Sequence, residues 1–241
     1  MSMATSAKRH GRYGIDAPYL LALPAVALAY NLALGIATAK PTPWIGAALI
    51  ATFGGFGLHS SRRGKFIVWA TLIDELALVG DERVLDVGCG RGAVLMMAAG
   101  HLAHGRAVGV DLWRGQDQSG NAAEATRSNA VAEGVADRVS LATGDMTALP
   151  FAPGAFDIVL SSMAIHNVKG SDSRDRAIEQ IAAAVAPGGR LVIADIRSTR
   201  QYSDRLTTLG MQNITRRNLG WRMWWGGPWM PTKVITARRP A

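Results

Sequence analysis

Val84-Leu85-Asp86-Val87-Gly88-Cys89-Gly90-Arg91-Gly92 reads as a buried strand that runs into a glycine-rich turn and opens a helix. A second strand, Arg106 to Asp111, follows and ends on an acid. This couple of glycine turn and downstream carboxylate is how open α/β sheets hold an adenosine-type cofactor. Glycine lets the backbone approach the ligand, because no side chain intervenes and a positive φ costs little. The carboxylate of Asp111 has the acceptor capacity for two ribose hydroxyls.

The spacing narrows the ligand. The turn is GxGxG rather than GxGxxG, and Asp86 stands two residues before the first glycine. Its charge would repel a pyrophosphate, which argues against a nicotinamide dinucleotide, and it suits a ligand with a cationic end. This pattern resembles motif I of the class I S-adenosylmethionine (SAM) dependent methyltransferases, and further motifs of that family follow in order. Gly109 to Leu112 (GVDL) is similar to the ribose-binding strand end. Gly144-Asp145-Met146 is similar to the turn where Asp145 would accept from the adenine amino group and Met146 would lie on the ring. Phe156 to Val168 is similar to the fourth strand and its loop, and Pro187 to Ile196 to the fifth strand and the turn before it. The resemblance runs from about residue 66 to 241. It implies SAM as cofactor, with Asp86, Gly88, Gly90, Gly92, Asp111, Leu112, Gly144, Asp145, Met146 and Ser161 around it, and no metal site. It further implies an α/β, Rossmann-like sheet of seven strands, mainly parallel, with helices on both faces. The loop His166-Asn167-Val168 and the Pro-Gly-Gly turn resemble the methyltransferase type 11 group, which includes the ubiquinone/menaquinone C-methyltransferases.

Hydrophobic patterning places strands near 83–87, 106–111, 138–142, 156–160, 190–195, 212–219 and 232–238. Helices are expected after Gly92, around 122–133 and around 174–186, and an amphipathic helix over 66–79. The resemblance implies that the last two strands form a hairpin, with the final strand antiparallel. Cys89 is the single cysteine, so no intramolecular disulfide can form.

The net charge of +8 is uneven. Residues 1–65 carry Lys8, Arg9, Arg12, Lys40, Arg62, Arg63 and Lys65 against Asp16 alone. This excess flanks two uncharged runs, 17–39 and 41–61, rather than a catalytic domain, so a nucleic-acid partner is not expected. A run of 17–39 is long enough to cross a bilayer core of about 30 Å. With Pro41 and Pro43 at the turn, the segment reads as a membrane hairpin of two transmembrane helices. The expected division is therefore 1–65 (hairpin) and 66–241 (methyltransferase domain). By the positive-inside rule both ends lie in the cytoplasm, which makes this a multi-pass inner-membrane protein with the bilayer as partner. Small residues at Ala47, Ala51 and Gly55 allow close helix packing and homo-oligomers through the spans. Two other readings stay open: a signal peptide with a cleavage-like Ala37-Thr38-Ala39, and a helical pair packed on the catalytic domain.

Chemistry is harder to read, because methyl transfer needs mainly orientation and a dry site. The candidate loop runs from Ser161 to Val168. His166 in it is either a general base or a hydrogen-bonded residue that fixes the loop. Asp195 faces the site or serves the fold. Trp113, Gln116 and Asn121, after the ribose acid, either line the mouth or belong to a solvated loop. Trp221, Trp224, Trp225 and Trp229 cluster in one segment, which lies on a membrane, roofs an apolar pocket or is hairpin core. The function expected is an integral-membrane SAM-dependent methyltransferase acting on a lipophilic acceptor. The alternatives are a soluble small-molecule methyltransferase with a helical N-terminal arm, and a non-catalytic SAM-binding membrane scaffold.

Overall fold

The computed structural model describes residues 9–241, with backbone alone for Leu20 and Leu21; Lys8, one of the orienting charges, lies outside it. Helices α1 (Tyr19–Thr38) and α2 (Pro41–His59) pack on each other. A π-helical turn, Ser60–Gly64, carries α2 into α3 (Lys65–Leu76). Then come β1 (Arg83–Val87), α4 (Ala93–Ala99), β2 (Arg106–Asp111), α5 (Ala123–Ala132) and β3 (Val139–Thr143). The chain continues through β4 (Phe156–Ser162), α6 (Ser171–Ala184), β5 (Val185–Asp195) and α7 (Thr199–Thr208). It ends with β6 (Gln212–Asn218) and β7 (Lys233–Arg238).

The strands form one sheet in the order β3-β2-β1-β4-β5-β7-β6. β1 and β4 are central and read as nearly continuous apolar runs, as strands covered on both faces must. Side chains alternate between the faces with the strand period of two. Val84 and Leu160 join Trp69, Leu72 and Leu95 from α3 and α4. Leu85, Val87 and Val159 join Ile178, Ile181 and Leu206 from α6 and α7.

Two expectations are corrected. The sheet is mixed rather than mainly parallel. β1 to β5 pair in parallel, but β7 is antiparallel to both β5 and β6, so the last two strands build an antiparallel edge. The hairpin itself was expected, and its insertion beside β5 changes the character of the sheet. Helix α7 was not anticipated. Its sequence, TRQYSDRLTT, is polar apart from Tyr202 and Leu206, which sit one turn apart and are both buried.

The membrane hairpin is also overturned. Among the described residues no helix is long and apolar enough to cross a membrane, so the two transmembrane spans and the multi-pass inner-membrane placement do not stand. The expectation counted missing charges, and an uncharged run is not thereby an apolar one. α1 contains Pro24, Tyr30, Asn31 and Thr38, and α2 contains Pro41, Thr42, Pro43, Thr52 and four glycines. Without spans, the flanking arginines orient nothing.

One side of the helical pair instead meets the catalytic domain. Phe53 packs edge-on against Trp229 (4.7 Å between ring centroids) and Phe56 against Trp224 (5.5 Å), and His59 stacks on Trp221 (5.0 Å). Ser60 Oγ donates to the Trp224 carbonyl at 2.6 Å. The backbones approach closely at Gly64, where a Cβ would lie 1.7 Å from the Arg222 carbonyl oxygen. Upstream of α1, Ala17 N donates to the Asp117 carbonyl and Ser119 N to that of Ile15, both at 3.0 Å. Lys65, almost fully buried, pairs with Asp16 at 2.8 Å. The segment before α1, the helical pair and the tryptophan-rich hairpin thus assemble over the carboxyl end of the sheet.

Gly64→Ala should lower the melting temperature, because a collision with backbone cannot be relieved by a rotamer change; overpacking costs about 1–3 kcal/mol. Gly55→Ala, where an added Cβ meets nothing within 4 Å, should instead raise stability by about 0.5–1 kcal/mol. Thermal unfolding of the two variants checks the pair.

Candidate active site

The turn after β1 is built on positive φ angles: +73° at Gly88, +51° at Gly90 and +79° at Gly92. A Cβ at Gly88 would lie 2.2 Å from the Cβ of Ala164, so the loop after β4 presses directly on the turn. Gly90 N donates to Asp111 Oδ2 at 2.9 Å, and Trp113 N to Asp111 Oδ1 at 2.6 Å. The acid at the end of β2 therefore ties the glycine turn to the loop that follows β2.

A cavity of about 350 Å³ opens at this turn. Asp86, Gly88, Gly90, Asp111, Leu112, Gly144, Asp145 and Met146 line it, which brings together eight of the ten expected cofactor residues. Gly92 does not line it. It precedes α4, and a Cβ there would meet Met96 and Thr126. Ser161 is buried and donates to the Val87 carbonyl at 2.9 Å, tying β4 to β1, while its neighbour Ser162 reaches the cavity. Of the loop after β2, Asn121 lines the cavity and Trp113 and Gln116 do not.

The electrostatics of the acids differ. Asp86 is 1% exposed, and neither carboxylate oxygen has a hydrogen-bond partner among the described residues. Burial pushes its pKa up to about 7; the Asp111 charge adds to this, and the Leu95 backbone amide, short of hydrogen-bond geometry, offsets part of it. Asp145 is held below the usual carboxylate range by the Thr147 amide and hydroxyl, both 2.8 Å from Oδ1.

A second cavity, about 630 Å³, adjoins the first. Asp16, Asp117, Met163 and Asn167 line both. The walls of the second are mainly apolar: Pro24 from α1, Ile50 and Phe53 from α2, Trp225 and Met230 from the tryptophan hairpin. The tryptophan segment thus roofs a cavity. His166 lines this second cavity, not the first, with its Nδ1 2.6 Å from Asp195 Oδ1.

A methyltransferase domain family model matches residues 85–193. The likeness to a methyltransferase domain thus covers residues 85–193, under half of the chain. Over 125 residues the chain is 37% identical to methyltransferase GfsG of Streptomyces halstedii, covering 52% of this chain and 41% of that protein. It is 31% identical to the ubiquinone/menaquinone biosynthesis C-methyltransferase UbiE of Roseobacter denitrificans, covering 52% of this chain and 46% of that one. In each case the match spans under half of the relative's length. The fold matches a geranyl diphosphate C-methyltransferase of Streptomyces coelicolor A3(2), with a TM-score of 0.59, 19% identity, and coverage of 76% of this chain and 81% of that one.

The cavity fits SAM on its own chemistry. A carboxylate that is buried without a partner among the described residues matches the ammonium of the methionyl end, and the glycine turn lines the cavity beside it. Several residues of the site escaped sequence reading. Gln118 accepts from the Arg91 amide (2.8 Å) and donates to Asp16 (2.8 Å) and to the Tyr13 carbonyl (3.0 Å), so it couples the glycine turn to the N-terminal segment. Asp16, Lys65 and Asp117 also face the cavity. Asp16 and Lys65 are distant in sequence from the motifs, whereas Asp117 and Gln118 lie in the polar loop after Asp111, where no spacing singles them out from Gln116 and Asn121.

The Asp86 shift sets a pH dependence. Its folded-state value is raised above 3.8, so the native protein holds a proton that the unfolded chain releases. Stability without cofactor should therefore fall as pH rises from about 4 to about 7. Asp86→Asn should flatten that fall, and melting temperatures across this range read it out.

Proposed function

We propose that the protein transfers the methyl group of SAM to a small lipophilic acceptor held in the second cavity. The observation that carries this reading is the junction of the two cavities at Met163 and Asn167. One side is polar and glycine-lined, the other apolar and large enough for a small molecule. SAM supplies a methyl group activated on a sulfonium.

The residues have distinct tasks in this reading. Asp86 takes the ammonium of the methionyl end, which relieves its uncompensated burial. Asp111 accepts from the ribose hydroxyls while Gly90 and Trp113 hold it in place. Asp145 accepts from the adenine amino group through Oδ2, since its hydrogen bonds to Thr147 fall on Oδ1. Met146 and Leu112 provide apolar contact for the base. On the acceptor side, Phe53, Trp225, Met230 and Ile50 exclude water and align the acceptor with the methyl group; orientation in a dry site is the main source of rate in such a displacement. The names of the relatives point the same way, since quinones and geranyl diphosphate both carry apolar bodies.

Full-length protein should bind S-adenosylhomocysteine in calorimetry, and Asp111→Ala should weaken that binding at least tenfold. Trp225→Ala should raise KM for an apolar acceptor with S-adenosylhomocysteine affinity unchanged. Loss of both together would place Trp225 in the fold rather than in acceptor binding.

A further inference from the structure

We infer that the acceptor atom is the oxygen of an ionisable hydroxyl, of phenol or enol type, and that His166 with Asp195 removes its proton. The inference rests on the reading of the second cavity as the acceptor site. β5 ends on Asp195, which is fully buried. Its carboxylate accepts from three donors: the His166 imidazole through Nδ1 (2.6 Å), the His166 backbone amide (3.0 Å) and the Ile196 amide (2.7 Å). A carboxylate at Nδ1 selects the tautomer with its proton there, which leaves Nε2 as the basic nitrogen. Among the described residues Nε2 makes no hydrogen bond, while the ring lines the acceptor cavity. The backbone amide bond fixes the loop, and the ring bond fixes the tautomer as well. A purely structural histidine needs only the first.

The chemistry then selects the acceptor. An aromatic amine attacks through a lone pair it already has, and a carboxylic acid is ionised without help. A phenol or enol is mostly protonated at neutral pH and gains from a base within reach; general bases contribute about 10²–10⁴-fold. In the step, the hydroxyl oxygen forms a bond to the methyl carbon as its proton passes to His166 Nε2. The sulfur–carbon bond breaks with its electron pair left on sulfur. The products are the methyl ether, S-adenosylhomocysteine and an imidazolium, which returns its proton to water. His166 is the catalytic residue and Asp195 a positioning residue. Asp117 is the competing base: it faces both cavities, and burial raises its pKa, with Arg114 and His166 working against the rise.

The test uses the full chain, methyl-labelled SAM and four probes: 1-naphthol, 4-nitro-1-naphthol (largely ionised at neutral pH without a base), 1-naphthylamine and decanoic acid. Wild type should label both naphthols at oxygen. His166→Gln should lose at least 100-fold on 1-naphthol and under 10-fold on the nitro compound. Asp195→Asn should follow the same pattern more weakly. A structural role for either residue would lower both naphthols equally, and this result overturns the proposal. Labelling of the amine or the acid in preference to the naphthols, or of none of the probes by a protein that binds S-adenosylhomocysteine, also overturns it. If Asp117→Asn shows the selective loss and His166→Gln does not, the base assignment falls. Failure of wild type to bind S-adenosylhomocysteine would instead refute the underlying reading of the site.

Discussion

A carboxylate buried without a partner at the end of the central strand is the constraint around which this molecule is organised. Asp86 lies on β1 between apolar neighbours and has no hydrogen-bond partner among the described residues. Burying such a group is unfavourable, and it lines a cavity where, in the proposed reading, a cationic ligand end would compensate it. The surroundings follow from the same requirement. The glycine turn carries positive φ angles and admits Gln118 against Gly90, and Asp111 anchors that turn through the Gly90 amide. Ala164 fills the space beside Gly88 and brings the loop after β4 into contact with it.

The N-terminal third is the second organising element, and it works through packing. Its two helices carry little charge, and one side of the pair faces aromatic rings and an apolar cavity. Phe53 and Phe56 meet the tryptophans of the β6–β7 hairpin, and Gly64 permits backbone contact there. Asp16 and Lys65 pair where the segment before α1 meets α3, and Gln118 links that pair to the glycine turn. A helical arm so attached helps to enclose a second cavity beside the first, the place proposed for the acceptor.

Much of the fold was legible in the sequence. β1 and β2 lie at the expected residues, because short valine-bearing runs that end on a glycine turn or an acid admit few other structures. Eight of the ten expected cofactor residues converge because the first βα turn, the β2 end and the β3 loop all lie at the carboxyl edge of a parallel sheet. Gly92 and Ser161, also expected at the ligand, do not line this cavity. Proximity in sequence to the turn and to the β4 end does not say which way a residue faces. Asp195 was undecided from sequence, since its partner lies a full helix upstream.

The sequence by itself determined the class of cofactor and the strand–turn–helix unit that opens the sheet, because spacing along one such unit is a local property with few solutions. Only the tertiary structure decided where the uncharged N-terminal helices belong. Lack of charge is common to a bilayer span and to a helix that roofs a cavity, and the difference lies in which surface the helix meets. Only the tertiary structure brought His166 to Asp195 and both to the acceptor side, since contacts between residues far apart in the chain depend on how whole elements pack.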